Sequence, residues 1–213
     1  MWTEILKAIA ETLEMVFISG FFCVIIGLPL GTLLYITRRG NLWENLPVNY
    51  LLGTLINATR SIPFIILMLA LFPITRLIVG TSIGLYAALV PLSIAAIPFF
   101  ARLVETSLNE VPQGLIEAVQ SMGASKLQII RKVLISEALP GITSSLTLTL
   151  VNLVGYSAMA GAIGAGGLGK LAYHYGANRF DTMVMVSTVI IMIIIVQSIQ
   201  SAGDYVVHKV LSR

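Results

Sequence analysis

Apolar residues run nearly unbroken through five stretches of this chain, close to residues 13–36, 62–79, 83–104, 142–163 and 183–207, with polar residues gathered between them. A helix needs about 20 residues at ~1.5 Å each to cross a ~30 Å hydrocarbon core, and each stretch is near that length. The pattern predicts an all-α integral membrane protein with about five transmembrane helices joined by short connections. Residues 1–213 then form a single transmembrane domain. The first run carries Glu4, Glu11 and Glu14 before and at its start rather than a basic leader, and no small-x-small cleavage site comes after it, so it reads as a retained helix.

The longest polar interruption, about 105–141, has a pattern of its own. Leu115, Ile116, Val119 and Met122 recur at helical spacing, Gly123 breaks the period, and Ser125 with Gln128 three residues later forms a capping box for a second helix. Leu127, Ile130, Val133 and Leu134 give that helix an apolar face. The expected structure is a helix, a glycine turn and a second helix lying along the membrane, with Met122, Gly123 and Ala124 at the tip. Periodicity alone suits two uses of such an elbow: a docking device, or an amphipathic helix resting on lipid headgroups.

Composition agrees with the membrane reading, since 57% of residues are hydrophobic and 11% charged, and the mean hydropathy is +0.93. With an odd number of spans the termini lie on opposite sides, and the positive-inside rule chooses between the two orientations. An outside amino terminus leaves nine basic residues in the cytoplasm (Arg38, Arg39, Arg60, Arg102, Lys126, Arg131, Lys132, Lys209, Arg213) and four outside (Lys7, Arg76, Lys170, Arg179). That orientation places the 105–141 loop in the cytoplasm. The net charge of +3 is thus a topology signal, and no basic patch with interleaved aromatics points to nucleic acid.

The spans also exclude chemistries. Arg60, Arg102, Glu105 and Asp204 fall at expected cytoplasmic ends, leaving mid-depth positions without ionisable residues, against a proton-coupled pump or an intramembrane hydrolase. Cys23 is the single cysteine, and His174 and His208 have no partner at metal-ligand spacing, so no metal site is expected. A GxxxxGK[ST] phosphate loop is missing as well. If transport is active, its energy comes from another chain, and this one binds no cofactor and catalyses nothing.

The fourth span is the most polar, with Ser144, Ser145, Thr147, Thr149, Asn152 and Ser157. Small and hydroxyl-bearing residues favour close helix packing, and pairing two copies about a two-fold axis would double a surface too small to enclose a pathway. Asn152, Tyr156, Ser157 and Met159 are the substrate-pathway candidates near mid-membrane. Gly161, Gly164, Gly166 and Gly167, followed by Gly169, imply a folded-back backbone at the outer end, as a gate or as a flexible turn. The loop 170–181, with Tyr173, His174, Tyr175, Asn178 and Arg179, suits either a docking surface or an aromatic belt.

Glu117-Ala118, then Gly123, then Leu139-Pro140 at the entry to the next span resemble the cytoplasmic loop of permease subunits of binding-protein-dependent ABC importers. Over most of the chain, ATRSIPFIILM (58–68), IPFFAR (97–102), SMGAS (121–125) and GYSAMAGAIGAGGLG (155–169) are similar to the methionine-uptake branch of that family. The chain departs from the family pattern at Val119, where a second alanine is usual, and at Ser136, where proline is expected. The latter change implies a second elbow helix that ends less sharply.

The resemblance implies a homodimer in a bacterial inner membrane, two cytoplasmic ATPase subunits that use ATP-Mg, and a periplasmic or lipid-anchored binding protein delivering methionine. In that scheme Glu117, Ala118, Met122, Gly123, Ala124, Ser125 and Pro140 couple the permease to the ATPase, and closure of the ATPases rotates spans three to five so that the cavity opens outward, with hydrolysis resetting it inward. Two rivals remain: a permease of the same kind for another amino acid or an osmolyte such as a betaine, and a passive pore or membrane scaffold. A pore would be expected to show a charge ring or a carbonyl filter, neither of which is evident.

Overall fold

The computed structural model describes residues 2–211, which are almost entirely helical and contain no strand. Helix α1 runs from Trp2 to Ile36 with a π-helical turn at Cys23–Gly27. Then come α2 (Leu46–Ser61), α3 (Phe64–Ala70), α4 (Phe72–Val79) and α5 (Leu85–Asn109). The elbow is α6 (Gln113–Ser121) and α7 (126–137). Helix α8 (Leu139–Ala160) is followed by the π turn Gly161–Ala165, α9 (167–178) and α10 (Thr182–Leu211).

Among the described residues, four helices are long and apolar enough to cross a membrane, and a fifth span results if α2 and α3 count as one bent crossing. Helix α5 is the central pillar, packed against α1, α2, α3, α4 and α8. Met15, Val16, Cys23, Leu92, Phe100, Val104 and Leu153 form the buried centre where α1, α5 and α8 meet. Apolar burial gives little drive between helices in lipid, so close backbone approach matters. Gly31 lies against the Ala101 carbonyl and Val104, and Gly203 of α10 against Thr147 of α8, at distances that leave no room for a β-carbon. Pro91 and Pro98 both sit inside α5, and each removes one backbone hydrogen bond from its ladder.

The stretch 62–79, expected as one continuous span, is two short helices preceded by a third. Ile62 is extended (φ −87°, ψ 125°) because Pro63 disfavours helical backbone before it, and α2 and α3 meet there at 104°. A second break falls at Leu71, just before Pro73 in the first turn of α4, and Gly80 (φ 83°) ends α4. The crossing expected from the apolar run is therefore drawn partly from α2, whose Asn49, Asn57, Thr59 and Arg60 disguise it.

Candidate coupling elbow and translocation pathway

The elbow has the anticipated form. Helix α6 ends at Met122, Gly123 adopts φ +83°, and Ser125 opens α7. A side chain at Gly123 would be strained by that left-handed backbone. The capping box is complete: the Gln128 N–H donates to Ser125 Oγ at 3.4 Å, and the Ser125 N–H donates to Gln128 Oε1 at 2.9 Å. Met122 is 85% exposed at the tip, while Glu117, Ala118, Gly123 and Ser125 are exposed and Ala124 half-buried beside it.

Below the tip, Ile116, Ile129, Ile130 and Leu134 enter the main core. Leu127, expected on the apolar face of α7, is instead half-exposed, and Ile129 takes the buried position. The elbow is tied to the spans at one junction. Helix α7 ends at Glu137 and α8 starts at Leu139, so only Ala138 separates them, and Pro140 cannot donate to the carbonyl of Ser136. The stop that Ser136 does not provide is thus supplied four residues later. Gly141 packs on Ser107 of α5, and the Ser107 and Ser145 hydroxyls lie 3.3 Å apart, joining α5 and α8 where the elbow leaves and returns.

The four pathway candidates on α8 divide between two faces. Tyr156 stacks on Phe64 of α3, with ring centroids 4.7 Å apart and planes 9° from parallel, and Met159, three residues on, is 44% exposed. Ser157 points into the core, where its hydroxyl donates to the Val154 carbonyl at 2.7 Å. Asn152 is half-buried, four residues before Tyr156 on the same side of α8.

Tyr156 and Phe64 also wall a cup of about 200 Å³ completed by Thr59, Arg60, Ile62, Leu67, Ala95 and Phe99. The Arg60 guanidinium lies over the Phe99 ring, 5.9 Å from its centroid. Sequence position assigned Arg60 to the cytoplasmic end of a span; the bend at Ile62–Pro63 brings it against α5 instead. About one turn below, Arg102 donates to Glu105 at 2.6 Å and to Asn57 at 2.7 Å, fastening α2 to α5.

The glycine segment after α8 folds back. Gly164, Gly166 and Gly167 all have positive φ, and Gly161 lies so close to the Gly166 carbonyl that a β-carbon there would stand 2.6 Å from it. The returning helix α9 is held by α1: the Gly167 N–H donates to Glu11 Oε2 at 2.7 Å, and the Leu168 N–H to Thr12 Oγ1 at 2.9 Å. These two acceptors satisfy amides that begin a helix and have no partner within it. Glu11 and Thr12 were not among the sequence candidates, since nothing local in the first helix signals a partner 156 residues away.

A family model described as "Binding-protein-dependent transport system inner membrane component" matches residues 24–212. A Vibrio cholerae protein named "Probable D-methionine transport system permease protein MetI" is 56% identical over 209 residues, covering 98% of this chain and 93% of that one. The Escherichia coli K12 protein named "D-methionine transport system permease protein MetI" is 55% identical over 161 residues, 76% of this chain and 74% of that one. A chain from a crystal structure of inward-facing conformations of the MetNI methionine ABC transporter superposes with a TM-score of 0.96 at 52% identity, over 99% of this chain and 97% of that one. A more distant chain, from an amino acid ABC transporter with histidines, shares the fold at 18% identity and a TM-score of 0.81, over 97% of this chain and 94% of that one.

Proposed function

Since this chain belongs to the family of binding-protein-dependent transport system inner membrane components, we propose that it is the permease subunit of an ATP-driven methionine importer. Likeness to D-methionine permeases along nearly the whole chain is the observation that carries the reading. The working unit is a homodimer bound to two cytoplasmic ATPase subunits, which use ATP-Mg, and fed by a periplasmic or lipid-anchored binding protein.

The elbow suits the coupling role. Its tip presents Met122, Gly123 and Ala124 with little bulk beyond one flexible thioether, and its base is joined to α8 by a single residue. Glu117, Ala118, Ser125 and Pro140 set its shape and its junction. Closure of the ATPases would draw two elbows together, and α5 and α8, fastened at Ser107, Gly141 and Ser145, would move with them. Tyr156 and Met159 border the route for methionine, Asn152 and Ser157 support that stretch of α8, and the fold at Gly161, Gly164, Gly166 and Gly167 gates its outer end.

The test is methionine uptake and ATP hydrolysis by the reconstituted complex, with Gly123→Trp as the comparison. Uptake that depends on ATP and is lost in the variant supports the reading. A wild-type complex that transports another amino acid or an osmolyte but not methionine overturns the cargo, and a variant that couples normally overturns the elbow's role.

A further inference from the structure

Arg60 is an intramembrane cation in need of an explanation. Helix α5 serves as a ruler: Phe99, beneath the guanidinium, is 14 residues from Leu85 and 10 from Asn109. At ~1.5 Å per residue it lies about 21 Å from one end and 15 Å from the other, deep within the span. A charge at such depth is costly, and it usually faces a polar cavity and marks a substrate or ion path. Among the described residues Arg60 has no carboxylate partner; the Arg102–Glu105 pair is complete without it.

The surroundings favour one kind of occupant. Phe99 supports the guanidinium through a cation–π contact, which leaves the N–H edge free for a bidentate carboxylate. The cup lies at the C-terminal end of α2, where Pro63 has no N–H to give and the Thr59 carbonyl receives only a long 3.4 Å bond from the Ile62 N–H. Such an end of a broken membrane helix favours a cation. The remaining walls are the stacked pair Phe64–Tyr156 with Leu67 and Ala95, an apolar surface on which a thioether sulfur packs well against ring edges. A volume of about 200 Å³ is smaller than the ~300–1,000 Å³ of drug-sized sites, so the cup takes a small molecule.

We infer that this cup is an amino-acid site in each permease subunit, in which Arg60 binds the α-carboxylate, the carbonyl end of α2 receives the α-ammonium, and Phe64, Phe99 and Tyr156 hold the side chain. This rests on the import function proposed above and deepens it by naming the contacts that recognise the cargo. Arg60, Phe64 and Phe99 come from α2, α3 and α5, so the site assembles only when the bend at Ile62–Pro63 is in place.

The experiment uses the complex of this chain with its ATPase, incubated with photo-methionine, a diazirine amino acid that keeps the α-carboxylate and ammonium. Irradiation followed by peptide mapping is expected to label the segments holding Phe64, Phe99 or Tyr156, with labelling displaced by excess methionine. Arg60→Gln should reduce that labelling about 10- to 100-fold, the scale of a lost charge-assisted hydrogen bond, and Arg60→Lys should restore part of it. Should Arg60→Gln fail to co-purify with the ATPase, the wild-type complex still decides, because methioninol, which lacks the carboxylate, should compete at least about 10-fold more weakly than methionine. Labelling confined to other segments, undiminished labelling in an assembled Arg60→Gln complex, or equal competition by methioninol overturns the site. Uptake by wild-type proteoliposomes is measured in parallel: uptake without labelling of the cup refutes the site alone, whereas absence of methionine uptake refutes the import function itself.

Discussion

Glu11, in the first helix, accepts the backbone N–H of Gly167 at 2.7 Å across 156 residues of sequence. This bond and its neighbour from Leu168 to Thr12 make the outer end of α1 the clamp that holds the folded-back glycine segment. Replacing Glu11 with Ala should cost about 1–2 kcal/mol, as loss of a helix cap does, while Gln, which keeps an acceptor oxygen, should cost less. Thermal unfolding of the purified complex checks this; equal melting temperatures for Ala and wild type would show the clamp to be idle.

The elbow turn makes its own prediction. Ser125→Ala removes the acceptor for the Gln128 N–H and should loosen the start of α7 by about 0.5–2 kcal/mol. Hydrogen exchange at residues 125–129 should accelerate accordingly, with exchange in α5 unchanged. Uniform acceleration along the chain would instead indicate global destabilisation.

At the base of the elbow, Gly141→Val should prevent α8 from seating on α5, because even a β-carbon at 141 would stand 2.9 Å from Ser107 Oγ. Overpacking of this kind costs about 1–3 kcal/mol. The expected result is reduced yield of assembled complex, partly restored by the second-site change Ser107→Gly. A double variant no better than the single would mean that the contact does not set the α5–α8 spacing.

Glu105 is largely buried and paired with Arg102, which also holds Asn57 of α2. Glu105→Ala leaves Arg102 with one anchor fewer and should destabilise the protein by roughly 1–3 kcal/mol. A double-mutant cycle with Arg102→Ala should return a coupling of the same order, and additive effects would show the pair to be independent.

Local features were plain in the sequence and distant ones were not. The Ser125–Gln128 box, the break at Gly123 and the reversal near Gly161–Gly167 depend on residues a few positions apart, and each stands where the spacing placed it. A single span over 62–79 misleads because apolar character does not report direction: Ser61-Ile62-Pro63 is slight punctuation, yet Pro63 turns the chain through 104° within an apolar run. Arg60, which the apolar run alone places at a membrane edge, lies instead against α5. Phe64 and Phe99, ordinary core residues by sequence, acquire meaning only once the bend places them beside Tyr156 and Arg60. Glu11 and Thr12 likewise look like a polar patch before an apolar run, since their partners belong to a helix formed at the far end of the chain.

The two prolines of α5 each leave one rung out of a helix that runs unbroken from Leu85 to Asn109, and a helix bends most easily where such a bond is missing. Pro98 stands immediately before Phe99 and eleven residues from the terminus at Asn109, where the elbow is attached. If the elbow transmits ATPase closure as proposed, a push arriving at Asn109 would bend α5 most easily near Pro98, and the ring beneath Arg60 would be the first side chain to move with that bend. Geared in this way, a small stroke at the membrane surface would tighten or open the proposed grip in its interior without any helix having to slide along its neighbour.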